Sequence, residues 1–166
     1  MAAKAVTFAE ALEFGKDYAA QTIKNAKILA STLNDFGFKV LGEKKGFTQS
    51  HQAVVNVLDY GDGGKIEADL EKANIIVNRQ LIPGDIKAKR HYMHPGGIRL
   101  GTSEVTRLGM KESEMKQIAS FIKNVIVDKK NTKDIAKQVA EFRKNYQKIQ
   151  YCFDNKIGAY EYVKLR

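Results

Sequence analysis

Cysteine, long apolar runs and acidic side chains are what this chain has little of, and each shortage removes a class of protein. Cys152 is the only cysteine, so no internal disulfide forms and nothing argues for a secreted setting. No stretch approaches the roughly 20 apolar residues of a membrane span, and no charged segment followed by an apolar one opens the chain. The expectation is a soluble, cytoplasmic protein with no membrane contact. Asp and Glu number 19 against 28 Lys and Arg, a net charge of +9. Such an excess raises nucleic-acid binding, but eleven basic residues against five acidic ones put +6 of it in residues 123–166. There the lysines punctuate apolar positions at helical spacing, as on a solvated helix face. No RNA-recognition signature, zinc-finger spacing or basic stripe interleaved with aromatics accompanies them. The expectation is no nucleic-acid partner; a basic surface also draws in anionic substrates.

What is present suffices for one compact unit. With 43% hydrophobic and 28% charged residues the 166-residue chain has ordinary globular composition and material for a core. Ala2 to Leu12 is rich in helix formers, and Ala19, Ile23, Ala26, Leu29 or Ala30, and Leu33 recur at three-to-four spacing. One long helix is expected, with Gly15 the candidate break and Gly37 the left-handed stop. Phe38 to Leu41 is a short strand, and Ala53 to Leu58 a central, largely buried one. Asp62, Gly63 and Gly64 lack the spacing of a phosphate loop and form a turn capping a helix from Lys65 to Ala73. Ile75 to Asn78 is the next strand, and Arg79 to Pro95 a long polar connection of the kind that is functional or mobile.

Further on, Thr102 or Ser103 caps a helical turn that Gly109 ends. Met115, Ile118, Ala119, Ile122 and Ile126 mark an amphipathic helix. Ile135, Val139, Phe142, Tyr146 and Ile149 mark another, capped at Asn131 or Thr132. The tail from Tyr151, with alternating Tyr160 and Tyr162, is a strand or a packed extension. The sum is an α+β fold: a small antiparallel or mixed sheet of three to four strands, covered by helices on one side, with a long N-terminal helix.

The residues that carry chemistry cluster at HPGGIRLGTSEVTRLGM, from His94 to Met110. Ile98 and Leu100 flank Arg99, and strand alternation sends them to one face and the guanidinium to the other. Gly96, Gly97 and Gly101 clear side chains from around it. A planar fork of donors in such a gap suits a carboxylate or phosphate. The competing reading is that Arg99 pairs with an internal Asp or Glu and merely holds strands together. His91 and His94 have no third ligand at matching spacing, and His51 is distant, so no metal site is expected.

These residues also carry a resemblance. GGIRLGTSEVTRLGMKESEM is similar to the SGIRxGTxxxTxxGxKExxM stretch of serine hydroxymethyltransferase, a fold-type I pyridoxal phosphate enzyme. AAKAVTFAEAL, NAKILASTLNDFGFKV and ANIIVNRQLIPGD match in the same order, and the likeness runs from Ala2 to about Phe121. It covers the last two-fifths or so of that enzyme. The resemblance implies that residues 1–36 are a connecting helix and residues 37–166 the C-terminal small domain. The first turns of the helix would then pack on a large domain and fray without it.

The resemblance also implies roles. Arg99 would clamp the α-carboxylate of serine or glycine, orienting the bond to be broken against the pyridoxal phosphate ring. The Arg79 to Pro95 connection would touch the reduced pterin that carries the one-carbon unit. There the family's VNKN is VNRQ, putting Gln80 where an asparagine amide meets the pterin. A longer amide fits a differently substituted carrier, such as a methanopterin, or is neutral drift. The family's TDNH is TQSH here, keeping Thr48 and His51, with a structural role expected for His51. The Schiff-base lysine follows a run of threonines and a histidine in the family, and this sequence has no such run. The chain alone should therefore be inactive and bind no cofactor, with the complete protein a homodimer. Two other classes stay open: a stand-alone small-carboxylate binding module, and a basic nucleic-acid or partner-protein adaptor.

Overall fold

A computed structural model describes residues 1–154, 156, 158 and 159. Helix α1, Ala2–Asp35, leads into strand β1, Lys39–Val40, a short 3-10 turn at Glu43–Lys45, and β2, Gln52–Asn56. Then come α2, Gly63–Glu71; β3, Asn78–Gln80; β4, Gly97–Gly101; α3, Ser103–Arg107; α4, Glu112–Ile126; and α5, Thr132–Arg143. The four strands form one antiparallel sheet in the order β1-β2-β4-β3, so the fold is α+β. Because β2 and β3 each run antiparallel to β4, they run parallel to one another, and α2 makes the crossover between them.

Register decides which face each side chain takes. Val40 lies beside Val55 and Val55 beside Ile98, and all three are buried. With Ala53 and Leu100 they form the covered face, against which α1 and α2 pack. Leu29 and Leu33 of α1 and Ile66 and Leu70 of α2 meet it there, and Met115, Ala119, Ile122 and Ile126 of α4 complete the core. Ile135 and Val139 attach α5. Each fully buried Leu or Ile contributes about 1.5–3 kcal/mol. The helices therefore hold the sheet from one side only.

Several boundaries differ from the expectation. Gly15 does not break α1, which runs unbroken for 34 residues. Its cost of about 1 kcal/mol in a helix interior is met by the C-terminal tail, where Phe153 packs on Phe14 and Tyr151 on Tyr18, ring centroids 5.4 Å apart in both pairs. The strand expected at Ile75 to Asn78 begins only at Asn78. Asn74 takes a positive φ in the turn out of α2, and β4 offers ladder partners to Asn78, Arg79 and Gln80 alone. Strand β2 is central but alternates between buried and half-buried side chains, since helices cover one face. Helix α5 stops at Arg143, so Tyr146 stacks on Phe142 from beyond the helix end, at 5.2 Å. Tyr160 and Tyr162 lie outside the described residues.

The stop at Gly37, with φ +90, is as expected, and of the two expected caps of α5 it is Asn131 that serves. Asp62 caps α2, but Gly63 and Gly64 already form its first turn and the helix ends at Glu71, so it runs two residues earlier than the expected Lys65 to Ala73. Asp62 accepts from the Lys65 N–H at 2.9 Å, which holds its carboxyl below the usual carboxylate range, helped by His94 beside it. Gly63 and Gly64 serve close approach. A Cβ on either would overlap a backbone carbonyl, that of Gly97 or of Met93, so the start of α2 lies directly on the segment leading into β4.

Candidate functional site

Arg99 stands in the middle of β4, between β2 and β3, on the face that no helix covers. Its cross-strand partners are Val54 and Asn78. One row over lie Asn56, Gly97 and Gln80, and on the other side Gln52 and Gly101. The face around the guanidinium is therefore made of amides, a valine and two glycines. No ion pair or side-chain hydrogen bond of Arg99 occurs among the described residues. Its neighbour Arg79 differs: it points to the helix side, where its Nε pairs with Glu67 of α2. Two arginines on adjacent strands thus have opposite fates, because strand alternation gives one a carboxylate and the other open space.

The loop from Leu81 to Gly96 walls one end of this face. Asp85, only 2% exposed, accepts from the backbone N–H of Ile82 at 2.9 Å and of Gly96 at 2.8 Å, and Arg90 Nε lies 3.4 Å from its other oxygen. The loop is cinched by one carboxylate. Ile82 occupies the space beside Gly97, where a Cβ would overlap Ile82 Cγ2, and a Cβ on Gly96 would come within 2.7 Å of Asp85 Oδ1. Gly96 and Gly97 thus make room for their own loop, which corrects the expectation that they clear space for a ligand. Gly101 is different: a Cβ there meets nothing within 4 Å, so the face is open beyond Arg99.

Gln80 ends β3 instead of lying in the loop as expected, because it pairs with Gly97. It shares the face of Arg99 as a diagonal neighbour, a relationship that puts Cβ atoms about 7–8 Å apart. Its amide donates to the Leu81 carbonyl at 3.0 Å. The histidines do not converge. His94 Nδ1 is 3.4 Å from Asp62 Oδ2, His91 Nδ1 accepts from the Met93 N–H, and no three metal-ligating side chains cluster among the described residues. His51 is exposed, and its carbonyl, not its ring, is engaged, accepting from the Thr102 N–H at 3.0 Å.

Two features were not anticipated. Asp85 gave no signal, being one carboxylate in a polar loop. The other is a buried polar chain on α1: Asn25, fully buried, donates to Thr106 Oγ1 at 2.8 Å and to the Met110 carbonyl at 2.9 Å. An amide inside an otherwise apolar helical stripe was its one sequence trace. Thr102, expected to cap α3, makes no side-chain cap, because its hydroxyl donates to the Thr22 carbonyl of α1 at 2.9 Å.

Comparison with known proteins agrees with this build. The family model for serine hydroxymethyltransferase matches residues 1–122. Over all 166 residues the chain is 75% identical to the serine hydroxymethyltransferase of Nitrosopumilus maritimus (strain SCM1) and 68% to that of Cenarchaeum symbiosum (strain A). It spans 38% of the length of each. Among solved structures it superposes on L-threonine transaldolase from Pseudomonas fluorescens in its internal aldimine state, with a TM-score of 0.79 and 36% identity. That match covers 92% of this chain and 34% of that one. Fold and matches together define a segment of the kind found in these longer proteins. The chain belongs to the serine hydroxymethyltransferase family. No helix among the described residues is long and apolar enough to cross a membrane.

Proposed function

We propose that this chain is the C-terminal part of a serine hydroxymethyltransferase that interconverts serine and glycine while a one-carbon unit moves to or from a reduced pterin. Residues 1–36 serve as the connecting helix and 37–166 as the small domain of a cytoplasmic homodimer. The role of Arg99 is to clamp the α-carboxylate of serine or glycine. One observation carries this: a half-exposed arginine at the centre of a sheet, with no carboxylate of its own among the described residues. Two parallel hydrogen bonds from the guanidinium fix both the position and the tilt of a carboxylate. That sets which bond at the adjacent carbon is presented for cleavage. Gln80, on the same face, offers an amide to the pterin.

Pyridoxal phosphate supplies, when bound, the sink for the electrons of the breaking bond. The described residues do not fit as its holder. The lysine that the strands place on the Arg99 face is Lys39, at the far edge beside Asn56, and it is paired with Asp59 at 2.8 Å. The lysine and acid that bind the cofactor therefore belong to the remainder of the protein, and this chain alone is inactive.

Variants of Arg99 in the full-length protein test the clamp. Arg99→Lys keeps the charge and loses the fork, and Arg99→Ala loses both. A charge-assisted hydrogen bond contributes about 1.5–3 kcal/mol, so Arg99→Lys should cost roughly one to two powers of ten in serine affinity. Cofactor affinity and melting temperature should hold. Variants that melt early but bind serine normally in their folded fraction would remove Arg99 from the site.

A further inference from the structure

The turn that ends β4 is tied to α1 by side-chain hydrogen bonds that are buried except at their Gln21 end. Gln21 Nε2 donates to Asn25 Oδ1 at 2.9 Å, and Asn25 Nδ2 donates to Thr106 Oγ1 at 2.8 Å. Thr106 Oγ1 donates to the Thr102 carbonyl at 2.7 Å, and the Thr102 hydroxyl donates back to the Thr22 carbonyl at 2.9 Å. Asn25 and Thr106 are 0% exposed and Thr102 1%. Asn25 spends both amide N–H groups and its oxygen inside the network, and the Thr102 hydroxyl also reaches the His51 carbonyl at 3.2 Å. For stability alone, apolar side chains of the same shape would serve as well. A buried hydrogen-bond network instead selects one arrangement of the elements it joins, here with only the Thr22 hydroxyl beside it unpartnered among the described buried side chains.

What it joins is α1 to the strand that carries Arg99. Thr102 follows β4 directly and extends its ladder to β2 through the Thr102 N–H to the His51 carbonyl, at 3.0 Å. From Thr102 to Arg99 is three residues, about 10 Å at 3.3 Å each, paired to β2 along the whole span and to β3 at Arg99. A shift of Thr102 along the strand is therefore a shift of the guanidinium. A misplacement of about 1 Å in such a clamp can cost up to 100-fold.

We propose that Asn25, Thr102 and Thr106 are positioning residues for Arg99, setting the height and register at which the fork meets the substrate carboxylate. This deepens the clamp reading and rests on it. The test uses the full-length protein with KM for serine, cofactor affinity and melting temperature measured side by side. Thr106→Val, which removes the linking hydroxyl at equal shape, should raise KM for serine roughly tenfold with cofactor affinity unchanged. Thr106→Ser, which restores the hydroxyl, should bring it back to within about twofold. In an Arg99→Lys background Thr106→Val should add little, since residues acting as one unit are not additive.

If Arg99→Lys raises KM while Thr106→Val lowers only the melting temperature, the positioning role is overturned and the clamp stands. If neither Arg99→Lys nor Arg99→Ala changes serine affinity, the clamp fails and the positioning role with it. Should Thr106→Val not fold, Gln21→Met weakens the network from its half-buried outer end and is read in the same assay. A rise in KM of about two- to threefold supports the proposal, and an unchanged KM overturns it.

Discussion

The Asp85 carboxylate and the Gly96 N–H meet at 2.8 Å across eleven positions of chain, and the same oxygen takes the N–H of Ile82. One side chain therefore decides whether the Leu81 to Gly96 loop lies closed against the sheet.

Removing it should be costly. Asp85→Ala leaves two buried N–H groups without an acceptor, at about 1–3 kcal/mol each. Chemical denaturation should show a loss of roughly 2–6 kcal/mol, with amide exchange rising first in residues 82–96. Asp85→Asn keeps one acceptor oxygen and should lose less. Equal, small losses for both variants would show that the loop is held by something else.

The two glycines flanking Arg99 on its strand should behave oppositely. Gly97→Ala must displace Ile82 or the Val55 carbonyl, which a Cβ would approach to 2.9 Å, and overpacking of this kind costs about 1–3 kcal/mol. Gly101→Ala meets nothing within 4 Å and should stay within about 0.5 kcal/mol of the parent. Paired melting curves decide it; a Gly101 variant as unstable as the Gly97 one would contradict the open face.

Acid should loosen α2 through Asp62. Its carboxyl lies below the ordinary value of 3.8, chiefly because it accepts from the Lys65 N–H. A carboxylate with a depressed folded pKa stabilises the fold above its unfolded value and loses that contribution as pH falls through the folded one. The contribution is thus present above pH 3.8 and lost below it. Asp62→Asn keeps a capping oxygen and removes the titration. Its stability should fall less steeply in that acid range, as measured by denaturant midpoints at stepped pH.

Helix α1 should divide at Glu10. Residues 1–9 are exposed, whereas Glu10 pairs with Arg107 Nη2 at 3.1 Å and accepts from the Phe153 N–H at 3.2 Å. In this 166-residue chain, amides 5–9 should exchange far faster than those from Ala26 to Leu33. Arg107→Ala should extend the fast region toward Tyr18, since the same guanidinium holds the Tyr151 carbonyl at 2.7 Å. Uniform protection along α1 would mean that its first turns are covered.

Much of the architecture is legible along the chain. The stripes of α1 and α4, the stop at Gly37 and the caps at Asp62 and Asn131 depend on neighbours within a few residues, and so does the alternation that turns Arg99 away from Ile98 and Leu100. Strand limits were less legible, because a strand extends only as far as its partner: β3 begins at Asn78 since β4 pairs with nothing earlier. What tertiary structure alone decided is the company each polar group keeps. Arg79 and Arg99 look alike in sequence, yet Glu67 of α2 reaches one and no carboxylate among the described residues reaches the other. Asn25 and Thr106, 81 residues apart, share a hydrogen bond that no local pattern encodes. Periodicity is a property of the backbone, readable along the chain, whereas pairing of charges and buried polar groups depends on which distant atoms arrive within about 3 Å, and only packing brings them there.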